Sequence, residues 1–188
     1  MKVQLEVPFW SQKHNVDNEE YIDNACGIVC VKMVLAYPLR DSRSVDDLIK
    51  EGHVVGGKSD AGWNHETLVR LLRNHGILAY RQEFKSHEVD LGSKKGTDNV
   101  EETENFINLG MEKIQGSIDH GFPIIVSVKP GFGENGGDHL VLVVGYDDEN
   151  FYINDPQRKG YEKDPIRISL ERFKEYWKGL TIFTEFQK

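Results

Sequence analysis

The chain has 188 residues, of which 38% are hydrophobic and 29% are charged, and its formal net charge is −8. This composition is typical of a globular protein with a substantial core, and the acidic balance argues against nucleic acid or an anionic membrane as the main partner, because both attract clustered Lys and Arg. No apolar run approaches the length of a membrane span, and the N-terminus "MKVQLEVPFW" has no apolar signal-peptide core. We therefore expect one cytoplasmic domain, residues 1–188, of unknown oligomeric state.

Helices are expected mainly in the first half of the chain. Residues 25–37 are almost wholly apolar, which indicates a central helix buried on most sides, with Asn24 as its N-cap and Pro38 as its stop. Three more helical segments follow, and the last of them is one helix or a broken pair because Gly110 and Gly116 weaken it. These segments are residues 44–52, 65–75 and 101–121.

Strands are expected mainly in the second half, where short runs of β-branched and aromatic residues alternate with turn residues. These runs are residues 77–84, 123–128, 139–147, 151–156 and 180–186. The turn "DDEN" makes a hairpin of the third and fourth runs, and a short helix at 169–179 precedes the last one. The polar stretch 86–102 is expected at the surface. Helices followed by an antiparallel sheet predict an α+β domain.

Cys26 and Cys30 are the two cysteines, and they lie four residues apart on the expected central helix. This spacing gives poor disulfide geometry and differs from the C-x-x-C spacing of a redox pair, and two thiols are too few for a cysteine-only zinc site. A helix N-terminus favours the thiolate, because its unpaired N–H groups and the helix dipole attract negative charge. Cys26 is therefore the candidate nucleophile, and an unreactive buried thiol is the alternative.

His139 is the candidate general base. It stands between the glycine-rich segment "GFGENGGD" and the apolar strand "LVLVVGY", whereas the other six histidines are expected in ordinary solvated positions. Asp155 ends the neighbouring strand and can orient the imidazole. A simple two-residue turn would leave the two side chains about three residues out of register, so twist or a bulge must bring them together. Each residue also has a plain interpretation, His139 as a strand end in water and Asp155 as a turn residue before Pro156.

Acyl transfer also needs hydrogen-bond donors for the oxyanion. The backbone N–H of Cys26 is one candidate donor. The side-chain amide of Gln12, in "VPFWSQ", is the preferred second donor over Gln4 or Asn24. Together these residues supply a nucleophile at a helix start, a histidine at a strand start, an acid on the next strand and an amide donor.

The motifs "VPFWSQ", "NACGIVCVKMVLAY" and "GGDHLVLVVGYDDENFYINDP" resemble those of the papain-like cysteine peptidases related to the bacteriocin double-glycine leader peptidases. The resemblance implies a papain-like fold, in which a central helix carrying the cysteine packs on a C-terminal antiparallel sheet. It implies Cys26 as nucleophile, His139 as general base and acid, Asp155 as orienting residue and Gln12 as oxyanion donor. Two departures are Ile28, where the family usually has proline, and a longer interval between Gln12 and Cys26.

The sequence therefore predicts a cysteine-dependent hydrolase that cleaves a peptide or amide bond through a thioester acyl-enzyme. Two alternatives remain open: an acyltransferase that uses the same triad, and a non-catalytic peptide-binding domain of the same fold. The expected partner is a peptide or amide-bearing substrate. No cofactor and no metal ion are expected, because the histidines lack the spacing of metal ligands.

Overall fold

The computed structural model describes residues 2–59, 62–84, 100–133, 137–160 and 164–187, and it shows an α+β fold in which helices cover both faces of an antiparallel sheet. Most of the polar stretch expected at 86–102 lies outside the described residues. No described helix is both long enough and apolar enough to cross a membrane.

The helices are α1 (Gln12–Asn15), α2 (Cys26–Leu39), α3 (Val45–Val55), α4 (His65–Asn74), α5 (Val100–Asp119) and α6 (Leu170–Tyr176). The strands are β1 (Val3–Gln4), β2 (Lys58–Ser59), β3 (Gly62–Trp63), β4 (Leu78–Glu83), β5 (Ile124–Val128), β6 (His139–Tyr146), β7 (Asn150–Asn154), β8 (Ile166–Ser169) and β9 (Trp177–Glu185). A short 3₁₀ turn covers Pro130–Phe132.

The main sheet has the order β4-β9-β5-β6-β7-β8, and β1 pairs with β6 beside this path. Every pairing of neighbours is antiparallel, as the sequence predicts. Strands β1 and β8 were not predicted. Strands β2 and β3 form a separate two-stranded hairpin.

Alternate residues of β6 face two different apolar cores. Leu140 and Leu142 pack with α2, α3 and α4, whereas Val141 and Val143 pack with α5 and α6. This alternation is what a strand buried on both faces requires, because successive side chains point to opposite sides of the sheet. The sheet is thus covered on both faces, and α2 lies directly against β6.

Helix α2 differs from the prediction at both ends. Asn24 is not its N-cap: the amide of Asn24 closes a turn onto the carbonyl of Tyr21, and the helix begins one residue later, with Ala25 as N-cap. Pro38 does not stop the helix either, because it falls inside the last turn. The helix runs on to Leu39 and ends where Arg40 adopts a left-handed conformation.

Helix α5 is continuous through both of its glycines, which resolves the predicted choice between one helix and a broken pair. Packing requires a glycine at position 110, because a Cβ there would lie 2.4 Å from the Trp177 ring and 2.7 Å from the Phe84 ring. Gly116 faces open space, with no atom within 4 Å of a Cβ. The glycine at position 110 therefore lets α5 approach the sheet, and tertiary packing offsets its low helix propensity.

Candidate active site

Helix α2 presents Cys26 as its first residue, half-buried, and places Cys30 one turn further in, fully buried. The Cys30 Sγ donates to the carbonyl oxygen of Leu140 at 3.5 Å. Burial, followed by the nearby Cys26 and Asp155, raises the pKa of Cys30 well above its ordinary value. Cys30 is therefore a neutral packing thiol, and Cys26 is the cysteine that reaches a cavity.

His139 begins β6 and is only 1% exposed. Its Nε2 lies 2.6 Å from Asp155 Oδ1. A carboxylate can only accept, so Nε2 carries the proton of this bond. The same carboxylate oxygen accepts the backbone N–H of Gln157 at 2.8 Å. Asp155 therefore orients the ring and also closes the turn that follows β7.

A β-bulge brings His139 and Asp155 together, which is one of the two means, twist or a bulge, that the sequence left open. The pairing of β6 with β7 shifts between Val143 and Gly145. Beyond this shift, Asp155 is two residues out of direct register with His139 instead of three. Residues separated by an even number of positions share a face of the sheet, so the bulge places both side chains on one side.

The electrostatics of His139 depend on both of its neighbours. Burial lowers the pKa of His139, but hydrogen bonding and charge from Asp155 and Cys26 outweigh it and raise the pKa to about 9. The other ring nitrogen, Nδ1, is buried and has no hydrogen-bond partner of normal geometry among the described residues. The Cys26 sulfur is thus near enough to influence the ring but is not yet in a close hydrogen bond.

Gln12 is fully buried at the start of α1, a helix that the sequence did not predict. Its backbone N–H donates to the carbonyl of Pro156 at 2.9 Å, which ties it to the residue after Asp155. Its Nε2 donates to the carbonyl of Ile22 at 2.8 Å. No hydrogen bond among the described residues joins Gln12 to Cys26.

A cavity of about 220 Å³ opens beside Cys26. The β2–β3 hairpin and the first residues of α4 form one side of it, and β5, β6 and the residue before β6 form the other. Polar and aromatic side chains from these segments line it, namely Ser59, Trp63, Asn64, His65, Ser127 and Asp138. The cavity is the place where a substrate segment could lie against the thiol.

The sequence did not identify the residues that line the cavity beside Cys26. His65 was expected to be an ordinary solvated histidine, yet its ring lies in the cavity wall and burial lowers its pKa. Each strand of the β2–β3 hairpin has only two residues, which is too short for a recognisable sequence pattern. The sequence feature that could have indicated these cavity residues is the pair Trp63–Asn64, which stands immediately before α4. No group of three or more metal-ligating side chains lies together among the described residues.

A model of the family described as "Peptidase_C39 like family" matches residues 4–182. The chain belongs to the C39-like peptidase family. Membership supports cysteine peptidase activity in general for this C39-like chain. A search of curated proteins found no match to the sequence.

Solved structures share the fold of this C39-like chain. One is assigned as a C39-like peptidase from Bacillus anthracis, with 19% identity, a TM-score of 0.68, and coverage of 100% of this chain and 99% of that one. A double-glycine motif protease from an AMS/PCAT transporter, in complex with its leader peptide, has 19% identity, a TM-score of 0.60 and coverage of 98% and 95%. The peptidase domain of Streptococcus ComA, a bi-functional ABC transporter in quorum sensing, has 19% identity, a TM-score of 0.59 and coverage of 88% and 93%. These similarities establish the papain-like α+β fold that the sequence predicts.

Proposed function

We propose that this C39-like chain is a single-domain cysteine peptidase that hydrolyses a peptide bond through a thioester on Cys26. The observation that carries the proposal is the buried 2.6 Å bond between His139 and Asp155, next to a half-buried cysteine at the start of α2. A buried ion pair of this kind is costly to maintain and is of no use to a simple core thiol. The leader peptide bound to one relative supports a peptide as the substrate class.

In the acylation step, His139 holds the proton and Cys26 is the thiolate. The sulfur attacks the carbonyl carbon of the scissile peptide, so that a C–S bond forms and the carbonyl oxygen becomes an oxyanion. His139 then gives its proton to the leaving nitrogen, the C–N bond breaks, and the amine product departs. Asp155 keeps the ring in the required tautomer and stabilises its cationic form.

In the deacylation step, the neutral His139 removes a proton from water as the water oxygen attacks the thioester carbonyl. The C–S bond breaks, the acid product leaves, and Cys26 returns as thiolate beside the protonated ring. An amine that attacks in place of water would give acyl transfer with the same residues, so the acceptor distinguishes the two reactions.

Two donors are proposed for the oxyanion. The backbone N–H of Cys26 lies in the first turn of α2, where amides have no acceptor within the helix. Gln12 would be the second, because the bond to Ile22 occupies one of the two hydrogens on its Nε2 and leaves the other. This role requires Gln12 to face the substrate carbonyl once a peptide is bound.

The test is a cleavage assay on a pool of peptides, with new termini identified by mass spectrometry. We expect cleavage by the wild-type protein and by Cys30→Ser, and none by Cys26→Ala or His139→Ala. Adding an amine acceptor tests transfer, since amide products would replace free acids. Cleavage that survives in Cys26→Ala would refute the proposal.

A further inference from the structure

The cavity beside Cys26 has room for a substrate side chain. Its volume of about 220 Å³ is several times the roughly 30 Å³ that one water molecule occupies in the liquid. A glycine residue would leave this space unfilled. The following inference rests on the proposed function, because it concerns the substrate of the same site.

Asp138 is the acidic residue among the described residues that line the cavity, and it immediately precedes His139. Its side chain is 56% exposed, and its Oδ1 pairs with the ammonium of Lys178, which is 32% exposed and does not line the cavity. Ion pairs between partly exposed side chains contribute little to stability, and salt screens the attraction between their charges. The second carboxylate oxygen has no partner among the described residues, so Asp138 can bind a further cation from the cavity side.

The other described residues that line the cavity do not neutralise the negative charge of Asp138. Burial is the main cause that lowers the pKa of His65, so its ring is neutral at neutral pH. Ser59 and Ser127 contribute hydroxyls that can accept hydrogen bonds. No lysine or arginine is among the described residues that line the cavity.

We propose that this cavity binds a positively charged side chain, lysine or arginine, of the peptide substrate next to the scissile bond. Asp138 would accept from the ammonium or guanidinium group, and Ser59 and Ser127 would accept its remaining hydrogens. Trp63 would pack against the apolar stem of the same side chain, as long basic side chains commonly require. The preference would separate this chain from the double-glycine motif protease that shares its fold.

The charge of the cavity can be measured without turnover by two thiol reagents of similar size, 2-aminoethyl methanethiosulfonate and 2-sulfonatoethyl methanethiosulfonate. Each forms a disulfide with the thiolate of Cys26 and releases methanesulfinate, and intact-protein mass spectrometry gives both rate constants. The ratio of the cationic rate to the anionic rate reports the local charge. Any change in the amount of thiolate cancels in this ratio.

Asp138→Asn should lower the ratio by about three- to fivefold, the range expected for one partly screened ion pair. Lys178→Met should raise it. Glu104→Gln is the matched control, because Glu104 forms an ion pair with Lys174 of similar exposure away from the cavity, and its ratio should stay at the wild-type value. An Asp138→Asn ratio equal to that of the control would overturn the proposal.

Peptides that differ at a single position test the substrate directly. For a cleaved sequence, we expect Lys or Arg beside the scissile bond to give a kcat/KM higher than Gly by about threefold or more, and Asp138→Asn to remove most of this advantage. Equal cleavage of the glycine and lysine peptides would overturn the proposal while leaving the peptidase function intact. A reaction of Cys26 that does not depend on His139 would instead contradict the proposed function.

Discussion

At the scale of single residues, the proposed chemistry depends on three side chains that lie at the ends of their elements. Cys26 opens a helix, His139 opens a strand, and Asp155 follows the end of the next strand. Their positions were predictable because reactive residues at element ends are visible in sequence. The residues of the cavity wall were not, because Asp138 and His65 become neighbours of Cys26 only through the tertiary fold.

The first prediction concerns the reactivity of Cys26. Reduced protein treated with limiting iodoacetamide at about pH 6.5 should be labelled at Cys26 faster than a free thiol with a pKa near 8.5, because an imidazolium beside the sulfur favours the thiolate. His139→Ala should slow the labelling at least about tenfold. Cys30 is the internal control and should stay unlabelled because it is buried and its pKa is raised. Labelling of Cys26 at the rate of a free thiol would contradict the proposed nucleophile.

The second prediction concerns Asp155. Asp155→Asn keeps a hydrogen-bond partner for His139 Nε2 but removes the negative charge that helps to raise the His139 pKa to about 9. The pKa of His139 should therefore fall in this variant. The ring signals of His139 in an NMR titration measure it directly. An unchanged His139 pKa would show that Asp155 acts by orientation alone.

At the scale of elements, helices α2 to α6 and most strands were predictable because their apolar residues form strong patterns, whereas the short helix α1 was not. The strands that the sequence missed are short, and contacts with other parts of the chain determine whether they form. Strand β1 has only two residues and exists because it pairs with β6, and β8 depends on β7 in the same way. The start of α2 was misplaced by one residue, because the backbone N–H of Asn24 donates to the carbonyl of Tyr21 in a local turn and Ala25 is the N-cap. Local propensity does not report the strand partners on which β1 and β8 depend.

The third prediction compares the two glycines of α5. Gly110→Ala should lower the free energy of unfolding by about 1–3 kcal/mol, because its Cβ would overlap the rigid rings of Trp177 and Phe84. Gly116→Ala is the matched control on the same helix, and it should raise the free energy of unfolding by up to about 1 kcal/mol through helix propensity alone. Urea unfolding of both variants measures the difference. Equal effects of the two substitutions would show that a Cβ at position 110 does not destabilise the fold through contact with the two rings.

At the scale of the whole molecule, the raised pKa of His139 links stability to pH. The folded state holds the proton up to about pH 9, whereas an unfolded histidine releases it near 6.5. The His139 contribution is therefore fully present below about pH 6.5 and is lost as the pH rises toward 9, because His139 itself binds more protons in the folded state than in the unfolded state throughout this range.

The fourth prediction follows from this linkage. The linkage is measured in a Cys26→Ser background, where no thiol titrates beside the ring and Asp155 still favours the charged imidazole. The free energy of unfolding, measured by urea titration, should fall in this variant as the pH rises above about 6.5. His139→Gln in the same background should flatten the curve over that range while leaving the dependence at lower pH similar. A Cys26→Ser curve that rises over this interval would show that Asp155 does not hold His139 protonated.

The bulge between Val143 and Gly145 has a consequence for recognising active relatives by sequence. With the same turn and the same number of residues, regular pairing in place of the bulge would leave Asp155 at an odd offset from His139, and one of the two side chains would point to the opposite face of the sheet. Such a chain would still carry Cys, His and Asp in the expected order. Whether a relative can form the His–Asp hydrogen bond thus depends on the number of residues between the two, and on whether its hairpin has a bulge, as well as on the identity of the residues.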